Sequence, residues 1–72
     1  MSKGVKGKKV LELGVGDASL TRRLKANGAV VDGVESDQVY IDLAKPFCDR
    51  IFSGDLNKIE TFNLDGDYDI IV

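Results

Sequence analysis

The chain has 72 residues, of which 43% are hydrophobic and 31% charged, a balance that suits a small folded unit and excludes a disordered segment. Its formal net charge of -2 is unevenly spread: Lys3, Lys6, Lys8 and Lys9 precede any acid, and the remainder holds twelve acidic residues against six basic ones, so the acidic body argues against nucleic acid as a partner. A single cysteine, Cys48, excludes an internal disulfide, and the lack of histidine removes the commonest general base and metal ligand. No apolar run approaches the roughly 20 residues of a membrane helix, so a soluble cytoplasmic protein with no membrane partner is expected.

Residues 1–8 form a basic, glycine-containing lead-in, expected to be a solvated tail ahead of a domain over residues 9–72. Residues 9–14 read as a first strand. Val10, Leu11 and Leu13 make the near-continuous apolar run of a parallel strand, interrupted by Glu12. Residues 18–27 read as a helix, with Leu20 and Leu24 spaced i, i+4 and Ala18 in the preceding turn. Asp17 or Ser19 can cap its start, Arg22, Arg23 and Lys25 favour its C-terminal end, and Asn27-Gly28 is a stop signal. Residues 29–35 form a second strand on Val30, Val31 and Val34. Asp32 and Gly33 weaken it, and the residues themselves suggest no partner for Asp32.

Ser36-Asp37 caps a second helix carrying Val39, Tyr40, Leu43 and Ala44, which Pro46 ends or kinks near Lys45. Residues 50–53 form a short third strand around Ile51 and Phe52, stopped by Gly54-Asp55. Residues 56–64 are ambiguous, with Ile59 and Phe62 one helical turn apart. Asp65-Gly66-Asp67 is a turn signal, and residues 68–72 form a fourth strand. Alternation of this kind predicts an α/β fold with a parallel sheet. The chain stops inside an apolar strand whose edge would pair with other chains. A fragment of a longer domain is therefore expected, with oligomers through exposed sheet edges.

The residues that point to chemistry lie where the strands end. Gly14 and Gly16 let the backbone turn sharply and let a ligand approach without a Cβ in the way. An ordinary strand-to-helix turn is the plainer reading of that pair taken alone. Glu35 ends the second strand, where a carboxylate can accept both hydroxyls of a ribose, although it could equally cap a helix. Asp55 follows the third strand in the same way, although it too could be a plain turn residue. Together the three make a crevice for a nucleoside at one edge of the sheet.

The set Glu12-Leu13-Gly14-Val15-Gly16, an acid, any residue, Gly, any residue, Gly, resembles the first motif of the class I S-adenosylmethionine-dependent methyltransferases, which have a Rossmann-like three-layer fold. Glu35 matches their second-strand acid. Ser53-Gly54-Asp55-Leu56 resembles the third-strand motif, and Asp67-Tyr68-Asp69-Ile70-Ile71-Val72 the start of the fourth strand, so the resemblance spans residues 9–72. It implies the strand order 3-2-1-4 and S-adenosyl-L-methionine as cofactor. It also implies that Gly14 and Gly16 lie under the methionine part, that Glu12 supports the loop and reaches the amino end through water, and that Glu35 binds the ribose hydroxyls. Asp55 and Leu56 would hold the adenine, with Ser36 bordering the adenosine. The family often has a third Gly where Ala18 stands, and a tighter site is expected from that change. Its acceptor-binding residues usually follow the fourth strand, so no catalytic residue is assigned and the methyl acceptor is unidentified.

Two other readings remain. An NAD(P)-dependent oxidoreductase would want Gly-x-Gly-x-x-Gly, but Ser19 stands at the sixth position, and Glu12 and Asp17 beside the turn oppose a pyrophosphate. A non-catalytic half-Rossmann module would fold or oligomerise without turnover. Cys48, with no histidine to activate it, is expected to be a packed thiol. Asp65, Asp67 and Asp69 read as a turn rather than a calcium loop, and Tyr40, Phe47 and Phe62 as packing residues.

Overall fold

The computed structural model describes residues 4–55 and 68–72. They form an α/β fold in the order β1 (Lys9–Leu13), α1 (Ser19–Ala26), β2 (Val30–Glu35), α2 (Gln38–Ala44), β3 (Arg50–Ser53) and β4 (Ile70–Ile71). All four strands are parallel and the sheet order is β3-β2-β1-β4, a partial Rossmann-like arrangement in which the opening strand is central. The four strands and two helices expected are present; β3 has the expected bounds, and β1, α1, β2 and β4 are shorter than expected. The stretch 56–64 with Phe62, and the Asp65-Gly66-Asp67 turn, lie outside the described residues.

Register decides which side chains share a face. Val10 pairs with Val31 and Ile70, Glu12 with Gly33, and Gly33 with Ile51, so these residues line one face with Glu35 two positions beyond Gly33. Both helices pack against this face. Leu24 of α1 covers Val10, Ala29 and Val31, and Ala44 of α2 covers Val15 and Ala18 beside Cys48 and Ile51. Cys48 is thus the packed thiol expected, and burial pushes its ionisation up.

The helices differ from the pattern read in the residues. Leu20 is exposed, and the residue α1 buries fully is Thr21. On α2, Ile41 and Ala44 are buried whereas Val39, Tyr40 and Leu43 are exposed. Ala18, Leu24 and Ala44 of the expected stripes do face the core, but Thr21 takes the place of Leu20 on α1, and Ile41 that of Val39, Tyr40 and Leu43 on α2. Phe47 is 38% exposed, so most of its surface is covered, as a packing residue's is expected to be, with the Arg22 guanidinium 4.9 Å over its ring.

Asp32 acquires partners only through the fold. It is on the opposite face, 1% exposed, opposite Arg50 in the β2–β3 register. Its Oδ2 accepts from Arg50 Nη2 at 2.9 Å and from the Tyr68 hydroxyl at 2.8 Å. A buried carboxylate thereby joins β2, β3 and the residue leading into β4, which answers its desolvation with a charge and two donor groups. The lead-in also departs from the solvated tail expected. Gly7 N donates to Gly28 O at 2.9 Å, Val30 N donates to Lys8 O, and Val5 packs against the Val10 cluster. No helix among the described residues is long and apolar enough to cross a membrane.

Candidate functional site

At the carboxyl edge of the sheet, β1 runs into a turn held to β2. Gly14 N and Val15 N both donate to Val34 O, at 2.8 and 3.3 Å. Gly14, Gly16 and Ala18 all take positive φ, at 75°, 60° and 69°. Glycine adopts that region freely, whereas alanine meets its own Cβ there. Ala18 is nonetheless fully buried in the α2-side core, where its methyl group packs. Among the described residues a Cβ on Gly16 would meet nothing within 4 Å, so the turn is open above that residue. The interruption of β2 at Gly33 is explained here too. Val15 folds down over it, and a Cβ on Gly33 would lie 2.3 Å from Val15 Cγ2, so the turn seats itself where the strand lacks a side chain.

Glu35 ties this turn to the start of α2. Its Oε1 accepts from Gly16 N at 2.8 Å, and its Oε2 accepts from Ser36 N at 3.2 Å and Asp37 N at 3.1 Å. The Gly16 amide is the main reason its carboxyl lies below the ordinary glutamate value, with burial working against it. An ionised carboxylate offers about four acceptor positions, so three amide bonds leave room for a further donor. Gly54 N donates to the Glu35 carbonyl at 3.1 Å, which brings the turn bearing Asp55 alongside. Asp55 and Ser36 are exposed at this edge, and Leu56 lies outside the described residues.

Glu12 behaves differently. It is 5% exposed, and its Oε1 accepts the hydroxyl proton of Thr21 on α1. Burial pushes its carboxyl up, and the Thr21 hydroxyl pulls the other way. The ion pairs Lys25–Asp49 and Arg50–Asp32 do not involve Glu12. The loop support expected of Glu12 comes instead from Glu35, because register carries Glu35 further toward the carboxyl edge, level with the turn amides.

The first turn of α1 is already served by an anion. Asp17 Oδ1 accepts from Ser19 N at 3.0 Å and from Ser19 Oγ at 2.6 Å, while Ala18 stands at the cap position without a side-chain bond. The Ser19 bonds hold the Asp17 carboxyl below its usual range. At α2, Asp37 caps as expected, accepting from Val39 N at 2.9 Å. The structure therefore brings Gly14, Gly16, Glu35, Ser36 and Asp55 to one edge, with Glu12 beneath it.

The residue that sequence reasoning missed is Thr21. The spacing of Ala18, Thr21 and Leu24, which puts all three on one helix face, is the signal that could have found it. Among the described residues no three His, Cys, Asp or Glu side chains converge as a metal site. Asp69, one of the alternating acids, accepts from Lys9 N at 2.8 Å, as a turn residue entering β4 does. Asp65 and Asp67 lie outside the described residues. No protein-family model matches the chain, and no curated protein sequence is significantly similar to it.

Proposed function

We propose that residues 9–72 are the cofactor-binding portion of a methyltransferase that takes its methyl group from S-adenosyl-L-methionine, transferring it to an acceptor not identified by this chain. The observation that carries this reading is the Glu35 carboxylate bonded to Gly16 N while its own carbonyl receives Gly54 N. Those two contacts draw the glycine turn, the Glu35 carboxylate and the Asp55 turn to one edge of the sheet. Gly14 and Gly16 would lie under the methionine part, Glu35 and Ser36 along the ribose, and Asp55 with Leu56 at the adenine. Bound there, the sulfonium supplies an electrophilic methyl group, so the protein's main task is to hold the acceptor in line with it.

Two electrostatic features favour this cofactor over a dinucleotide. Asp17 fills the first turn of α1 with its own carboxylate, the place where a pyrophosphate would otherwise sit. Glu12 is a buried acid whose hydrogen-bond partner among the described residues is a neutral hydroxyl, an environment suited to a cationic ligand end. A cytoplasmic setting is part of the reading and rests on the sequence alone.

Titration calorimetry of the chain with S-adenosylhomocysteine and with NAD, side by side, tests the proposal. Binding of the first and none of the second is expected. Binding of NAD alone would favour an oxidoreductase. Binding of neither by a folded chain would favour a non-catalytic module.

A further inference from the structure

A threonine with 0% exposure on the buried face of a short helix is an expensive choice unless its hydroxyl has a partner. That partner is Glu12 Oε1, on the strand that leads directly into the glycine turn. The contact crosses from α1 to β1, and it is the one hydrogen bond the Glu12 side chain makes among the described residues. We infer that Thr21 is a positioning residue, whose hydroxyl holds the Glu12 carboxylate in the orientation that receives the cationic methionine end of the cofactor. The inference rests on the function proposed above.

The geometry explains why a hydroxyl and not a methyl group is needed. Glu12 has Gly33 as its register partner on β2, which offers no side chain to brace it. Val15 and Cys48 fill the space over Gly33. The groups facing Glu12 among the described residues are thus the Thr21 hydroxyl from α1 and the Cys48 thiol ahead of β3. Neither brings a positive charge. Among the described residues no cation pairs with this carboxylate, which leaves it to a ligand sulfonium or ammonium, and the Thr21 donor opposes the effect of burial by favouring the ionised form.

The test is carried out on the whole chain, with the Glu12 carboxyl followed by carbon NMR across a pH series. In the unsubstituted protein the Thr21 side-chain resonances should titrate with the Glu12 midpoint; their indifference to it overturns the contact. Thr21→Val, which keeps the shape and removes the donor, should raise the Glu12 midpoint and weaken S-adenosylhomocysteine binding about tenfold. Thr21→Ser should restore both. If Thr21→Val binds as tightly as the unsubstituted chain with the Glu12 midpoint unmoved, the positioning role falls and the cofactor reading stands. If the unsubstituted chain does not bind S-adenosylhomocysteine, the cofactor reading itself falls, and the role of Thr21 with it. Should Thr21→Val fail to fold, Thr21→Ser and the co-titration in the unsubstituted protein decide the matter.

Discussion

Glu12 and Glu35 are glutamates near the carboxyl ends of adjacent parallel strands, on the same face of the sheet, and both are buried. Their carboxyls nevertheless move in opposite directions. Glu35 sits where the turn and the start of α2 both present backbone N–H groups, and the Gly16 amide leads in drawing it down. Glu12 lies lower on its strand, under α1, where burial prevails over one hydroxyl donor. Depth alone does not distinguish them. What does is whether the chain turns nearby, because only a turn leaves amides without a ladder partner. Glu35 is the acid that holds the edge together, and Glu12 is the acid kept short of partners.

Gly33 offers the most disruptive way to break this contrast, since it seats the turn between the two acids. Gly33→Ala would drive a Cβ to 2.3 Å from Val15 Cγ2. Valine is stiff at χ1, so relief must come from the backbone. A loss of about 3 kcal/mol is expected, read from denaturant midpoints, together with a rise of the Glu35 carboxyl as the Gly16 amide moves off. A fully stable Gly33→Ala protein with Glu35 unmoved would separate the turn from the acid.

Glu35→Ala comes next. It strands three amides at Gly16, Ser36 and Asp37, at the rim where water can replace part of what is lost, and about 2 kcal/mol of destabilisation is expected. Adenosine-ligand binding should fall with it in either the methyltransferase or the dinucleotide reading.

Glu12→Gln should have the smallest effect on stability and the most selective effect on binding. The amide oxygen can still accept from Thr21, so the fold should change by less than about 1 kcal/mol, while calorimetry should show loss of a sulfonium cofactor. The pH dependence sharpens the contrast further. The Glu35 carboxyl is lowered in the folded state, so its stabilisation is present above the ordinary glutamate range and is lost as the pH falls through the lowered value. The Glu12 carboxyl is raised, so its contribution is fully present below the ordinary range and is lost as the pH rises through the raised value. Unfolding midpoints between about pH 3 and 7 should therefore show Glu35→Gln losing ground to the unsubstituted chain as the pH rises, and Glu12→Gln gaining on it. Parallel curves for the two variants would remove the distinction.

Much of this was legible in the residues because it is local. A short apolar run followed by Gly14 and Gly16, Asp37 ahead of the second helix, and Glu35 and Asp55 at strand ends all depend on neighbours within a few positions, where backbone sterics and capping act. The alternation of elements predicted the parallel sheet, and the resemblance supplied its order, which the structure has. The stripes on the helices were legible only in part: Ala44 is buried as expected, but Thr21 and Ile41 join the buried lines while the larger neighbours Leu20 and Leu43 face outward.

By itself the sequence determined the strand–turn–helix at Val10–Asp17, the parallel alternation and the edge at which acids collect, because these follow from period, capping and glycine. The tertiary structure alone decided which acid does what. Asp32 needed Arg50 and Tyr68, eighteen and thirty-six positions away, to be tolerable in the interior. Glu35 needed Gly16 nineteen positions back to be held ionised, and Glu12 needed Thr21 across the strand–helix interface. A carboxylate's character is set by the donors and the water around it, and register and packing, not spacing along the chain, bring those to it.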